Sequence, residues 1–73
     1  MDEIEKIPVS SSNVEAIGYS EDVQLLRIWY LNGGIYDYHN VPIIEFEALK
    51  LAPSIGQYIH KNIKGSYGYT KTG

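Results

Sequence analysis

The absence of cysteine from a chain of only 73 residues constrains its folding more than any other feature. A chain of this size buries a smaller share of its surface than a large protein does. Disulfides, a structural metal or self-association usually make up the difference. Without cysteine there is no disulfide, and His39 and His60 alone do not make a zinc-binding set. A single small domain spanning 1–73 is therefore expected, held by one apolar core and supported by homo-oligomerisation. Residues 1–6 and 70–73 are expected to fray.

At 44% hydrophobic and 21% charged, the chain has the composition of a folded protein. No apolar run reaches the roughly 18 residues of a membrane span. The acidic start Met1-Asp2-Glu3 does not have the form of a signal peptide. The lack of cysteine suits a reducing compartment, so a cytoplasmic protein with no membrane partner is expected.

The pattern of apolar residues outlines the elements. Ser10 to Asn13 form a polar cluster, after which Val14, Ala16 and Gly18 alternate with Glu15, Ile17 and Tyr19 as in a strand. Ser20-Glu21-Asp22 has turn composition. Val23 to Leu31 follows as a second strand, with Leu26, Ile28 and Tyr30 on one face and Leu25, Arg27, Trp29 and Leu31 on the other. Asn32-Gly33 is a hairpin signal, because both residues tolerate positive φ. A third strand over Ile35 to His39 then places Tyr36 and Tyr38 on one face.

Beyond Val41-Pro42 the spacing changes to threes and fours, which predicts a helix from Pro42 to Leu51 with one buried stripe. Pro53 ends that pattern. Ser54 is placed to cap a second, short helical segment carrying Ile55, Tyr58, Ile59 and Ile63, though Gly56 weakens it. Tyr67 and Tyr69, at period two, mark a last short strand or an ordered arm. The fold class is α+β: a small antiparallel meander of three or more strands packed against one or two short helices.

Charge is divided along the chain. Met1 to Glu47 holds nine acids against Lys6 and Arg27, a balance of −7, whereas Ala48 to Gly73 holds four lysines and no acid. Such a split points to an anionic partner for the basic half, or to attraction between the halves or between subunits. Catalytic signatures are lacking: there is no Gly-x-Ser-x-Gly, no metal-ligand spacing and no phosphate-binding loop, and no cofactor is implied. The serine cluster reads as a turn or cap rather than a nucleophile.

The segment from Ser54 to Tyr69 mixes glycines, tyrosines, lysines and small polar groups. In a binding site, Tyr58 and Tyr67 would stack or line a pocket, and Lys61 or Lys64 would meet a phosphate. Ser54, His60, Asn62 and the backbone at Gly56 would orient the ligand. The plain alternative is a glycine-rich arm with solvated lysines. Tyr36 and Tyr38 could stack on bases, but they are expected to fill the core, because Ile35 and Asp37 opposite them would make a poor one.

The runs SSNVEAIGY, LRIWYLNGGIYDYHNVP and APSIGQYIHKNIKGSYGY, in this order from about Val9 to Tyr69, resemble the KTSC domain. The family's tyrosine pair corresponds to Tyr36 and Tyr38. Its Val-Pro step corresponds to Val41-Pro42, and its Ser-x-Gly-x-Tyr stretch to Ser54, Gly56 and Tyr58, followed by Asn62, Ile63 and Tyr67. The family is named for the C-terminus of some lysyl-tRNA synthetases and also occurs as small stand-alone bacterial or phage proteins. The resemblance implies RNA binding, by analogy alone.

A polynucleotide binder usually presents a basic surface, and this chain has a pI near 5.1. The expected function is therefore non-enzymatic capture of a small, phosphate-bearing, nucleotide-like ligand, as by a phage sponge that sequesters a nucleotide immune signal. The alternatives are an RNA-binding module for tRNA or single-stranded RNA, and a protein-interaction module using exposed apolar residues such as Trp29.

Overall fold

Five antiparallel strands lie side by side in the order in which they occur along the chain. They are β1 (Ile7–Pro8), β2 (Val14–Ser20), β3 (Leu25–Tyr30), β4 (Ile35–Tyr38) and β5 (Tyr69–Lys71). Between β4 and β5 come helix α1 (Ile43–Lys50) and helix α2 (Ile55–Tyr58), the latter running into a π-helical turn over Ile59–Ile63. This computed structural model describes residues 4–73. The meander and the two short helices agree with the α+β class expected from the sequence.

The strands pair so that one face carries the core. Ile17 lies opposite Ile28, Tyr19 opposite Leu26, and Ile28 opposite Tyr36. A bulge between Val14 and Ala16 shifts the register of β2. Val14 and Ile17 therefore both join the core, while Ala16 and Gly18 lie opposite Trp29 and Arg27 on the other face. The simple alternation expected for this strand is broken at that point. Ile17, Leu26, Ile28, Leu49, Ile59 and Ile63 are fully buried. Each such side chain contributes about 1.5–3 kcal/mol of transfer free energy.

The hairpin between β3 and β4 differs from the expected form. Of the Asn-Gly pair, Gly33 takes the left-handed conformation (φ +97°), and the N–H of Tyr30 donates to the carbonyl of Gly34. Asn32 uses its side chain instead, Oδ1 accepting from the N–H of Gly34 at 2.9 Å. The result is a three-residue turn rather than the two-residue form.

Pro42, in extended conformation, precedes α1, which buries Phe46 and Leu49. Ile44 and Leu51, also apolar, are 74% and 84% exposed and lie off the buried stripe. The ring of Phe46 stacks on Tyr19 with centroids 5.0 Å apart, and the Tyr19 hydroxyl donates to the Val41 carbonyl. Ser54 caps α2 as expected, Oγ accepting from the Gln57 N–H at 3.4 Å. The π turn closes with the N–H of Lys64 on the Ile59 carbonyl, and Lys64 itself is extended.

The described residues of both ends, expected to fray, make contacts with the sheet. Residues 1–3 lie outside the described residues, but Ile4 and Glu5 cross the back of the sheet so closely that a Cβ on Gly18 would stand 2.5 Å from Ile4 Cγ2. Residues 70–73 are not loose: β5 pairs with β4, and the N–H of Thr72 donates to the Ile35 carbonyl at 2.7 Å. Also on the back face, Arg27 makes a two-pronged ion pair with Asp37 at 2.6 and 2.9 Å. That bond is the chief cause holding the Arg27 guanidinium above its ordinary pKa. Trp29, expected exposed, is half-buried, with Lys6 and Arg27 over its ring at 5.6 and 5.9 Å. No helix among the described residues is long and apolar enough to cross a membrane.

Candidate functional site

Period-two geometry on β3, β4 and β5 gathers four tyrosines into one wall. Tyr36 and Tyr38 share a face of β4, and Tyr69 on β5 lies opposite Tyr38. Ring centroids are 5.5 Å apart between Tyr30 and Tyr36, 5.5 Å between Tyr36 and Tyr69, and 5.6 Å between Tyr38 and Tyr69. Such edge and tilted contacts are favoured by the ring quadrupoles. The wall runs from core to rim: Tyr38 is 2% exposed and Tyr69 59%. Burial is the main cause raising the Tyr30 and Tyr38 phenols above their ordinary pKa. The Tyr30 hydroxyl is shielded from solvent without a hydrogen bond of good geometry.

These rings floor a cavity of about 710 Å³. Its other walls are Ser12 and Asn13, the hairpin residues Leu31 and Asn32, and Lys64 with Gly65 where the π turn ends. The size falls within the range typical of small-molecule sites.

A second cavity of about 480 Å³ adjoins it and shares Ser12, Asn13, Tyr30 and Lys64. Here the Ser10–Asn13 loop faces α2, with Ser54, Gly56, Gln57 and His60 supplying polar groups. The loop is held firmly. Ser11 Oγ accepts from the N–H of Val14 and donates to Asn13 Oδ1, and the Asn13 carbonyl accepts from the N–H of Leu31 at 3.0 Å. Helix α2 comes so close that a Cβ on Gly56 would stand 2.6 Å from Asn13 Oδ1, a position only glycine fills without displacement.

The electrostatics of the two cavities run against the charge of the whole chain. Net charge is −3, yet among the described residues no carboxylate lines either cavity. The charged group common to both is Lys64, whose ammonium lies 5.9 Å from the centroid of the Tyr30 ring. Among the described residues no cluster of three metal-binding side chains occurs.

The model of the KTSC domain family matches residues 10–67. The chain belongs to the KTSC domain family. A crystal structure of a KTSC domain protein from Yersinia pestis superposes with a TM-score of 0.93 at 34% identity, covering 97% of this chain and all of that one. A lysine–tRNA ligase of Nostoc sp. is 43% identical over 58 residues, 80% of this chain but 10% of the ligase. A protein of Tsukamurella paurometabola is 37% identical over 57 residues, 78% of this chain and 85% of that protein. This chain thus spans about a tenth of the ligases it matches and most of the small proteins.

Within this KTSC domain, the site residues expected from sequence fall into three places. Ser54, Gly56, His60 and Lys64 line the second cavity, and Lys64 lines both. Tyr58 and Tyr67 line neither, because their hydroxyls are held by Glu45 of α1. Tyr58 donates to Oε2 at 2.5 Å and Tyr67 to Oε1 at 3.0 Å. The bond to Glu45 pushes the Tyr58 phenol up to about 12, while burial, followed by Glu45, raises that of Tyr67. These two rings lock α1 to the last third of the KTSC domain and are not positioned as stacking faces. Lys61 and Asn62 are exposed and line neither cavity.

Sequence reasoning missed Ser12, Asn13, Asn32, Tyr30 and Tyr69 as lining groups of the KTSC domain. Tyr36 and Tyr38 do pack against the core, as expected, yet their rings also floor the larger cavity. The available signal was the period-two tyrosine pattern of β4 and the tail.

Proposed function

We propose that this KTSC domain captures a small, phosphate-bearing, nucleotide-like ligand, its base against the tyrosine wall and its phosphate at Lys64. One observation carries this reading: an aromatic groove lined by a lysine and free of carboxylates, in an acidic chain. Stacking a base on aromatic rings is worth about 1–3 kcal/mol. A lysine ammonium serves phosphate as a point charge, and the amides of Asn13 and Asn32 supply hydrogen-bonding groups at the rim.

The proposed outcome is binding without conversion, the behaviour of a phage sponge that sequesters a nucleotide immune signal. A cytoplasmic setting is part of the proposal, in keeping with a sequence that has no cysteine. So is self-association, which the exposed outer edge of β5 would allow.

Thermal unfolding with a panel of linear and cyclic nucleotides tests the proposal. A ligand present at about a hundred times its Kd stabilises the fold by about 2.7 kcal/mol, which is a shift of several degrees in a domain this small. A panel that leaves the melting temperature unmoved would remove the proposal.

One observation favours RNA as a second reading: lysine–tRNA ligases carry segments similar to this chain. On that reading the same groove takes an exposed base of tRNA or of a single strand. A gel shift that weakens steeply with salt would support it.

A further inference from the structure

We infer that the two adjoining cavities form one two-lobed site for a nucleotide pair joined by an internal phosphodiester, not for a mononucleotide. This inference rests on the nucleotide reading above and names the ligand class.

The two lobes differ in chemistry. The larger is aromatic, floored by Tyr36, Tyr38 and Tyr69, and suits a base. The smaller is polar, edged by Ser54, Gln57 and His60, and suits the hydroxyls and ring nitrogens of a second nucleoside. Lys64, Asn13, Ser12 and Tyr30 belong to both lobes and therefore stand at the junction.

A phosphate held at the junction has a lobe on each side of it. In a mononucleotide the phosphate is terminal, so one lobe would stay empty. In a dinucleotide the phosphate joins two nucleosides, and each side finds a lobe of matching character. The wall between the lobes is fixed in advance. Ser11 and Leu31 hold the Asn13 backbone and side chain, and Gly56 brings α2 against it. A preformed junction lowers the ordering penalty of binding a two-part ligand.

The shared chemistry, two nucleosides flanking a phosphodiester, occurs both in free dinucleotides and in a step of single-stranded RNA. Calorimetric titration compares AMP, a linear dinucleoside monophosphate of adenosine, cyclic di-adenylate and octa-adenylate. At least one dinucleotide should bind about tenfold or more tightly than AMP, because the second nucleoside binds at high effective concentration. Octa-adenylate binding no tighter than the dinucleotide identifies free dinucleotide as the source, and a further gain with length identifies RNA.

The double variant Gln57→Ala/His60→Ala alters only exposed side chains of the polar lobe. It should bring the dinucleotide down to the affinity that AMP has for the same variant. Lys64→Gln should weaken both. Equal binding of AMP and both dinucleotides by the natural chain, or a double variant that keeps the dinucleotide preference, overturns the two-lobed site but leaves the nucleotide reading standing. Failure of every compound, AMP included, removes the nucleotide reading and this inference together.

Discussion

The Tyr58 hydroxyl donates to Oε2 of Glu45 at 2.5 Å, bonding a residue of α2 to one of α1 thirteen positions earlier. Tyr67 completes the clasp through the other carboxylate oxygen. A hydrogen bond to a charged group contributes about 1.5–3 kcal/mol. Glu45→Ala breaks both; because the three groups are only half-buried, the loss of unfolding free energy should fall at the low end of the sum, about 3–4 kcal/mol, measured by urea titration. Tyr58→Phe alone should lose about half of that.

The same clasp makes stability sensitive to alkali. Bonding to Glu45 raises the Tyr58 phenol from 10 to about 12 in the folded state. Between these values the unfolded chain releases a proton that the folded chain retains. Stability conferred by the clasp is thus complete below pH 10 and is lost as pH rises through the folded value near 12. Raised values at Tyr19, Tyr30, Tyr38 and Tyr67 act in the same direction. Melting curves followed by circular dichroism across the alkaline range should show this fall, and Tyr58→Phe should make it shallower. A slope unchanged in Tyr58→Phe would place the alkaline sensitivity elsewhere.

The core makes a separate prediction. Leu49 is fully buried on α1, whereas Ile44 on the same helix is 74% exposed. Leu49→Ala should cost about 2–5 kcal/mol, enough to unfold much of so small a domain. Ile44→Ala should change stability by less than about 0.5 kcal/mol. Denaturant midpoints separate the two, and equal losses would mean that α1 docks by a different face.

Much of this architecture was legible from residue types. Alternation on β3 and β4, the cap at Ser54 and the break at Pro53 lead directly to the meander and the second helix. The bulge in β2 was not legible, since nothing about Glu15 marks it as the extra residue. For β5 only the hint was legible, in the period-two Tyr67 and Tyr69; its extent was not, because Tyr69, Thr70 and Lys71 are all exposed and are made a strand by the partner β4. Among the expected site residues, Lys64 does line both cavities, and charge and glycine clustering drew attention to it. Tyr58 and Tyr67 line neither, because their partner, Glu45, lies in another element, at a distance in sequence that periodicity does not span.

On the proposed reading, position decides which lysine meets the phosphate. Lys64 stands in both cavities and Lys61 in neither. Lys64→Gln should abolish the thermal shift produced by a bound nucleotide, while the melting temperature of the free protein changes little, because the side chain is exposed. Lys61→Gln should bind as the natural chain does. Loss of binding in Lys61→Gln with binding retained in Lys64→Gln would reverse the assignment.

Amide chemical shifts recorded during titration with cyclic di-adenylate and with AMP test the tyrosine groove most directly. Perturbations should concentrate at Ser12, Asn13, Asn32, Lys64, Gly65 and Tyr69, with Trp29 and Asp37 on the back face unmoved. Spectra that stay still, or that shift only around Lys61, Asn62 or Trp29, would contradict a ligand site in that groove.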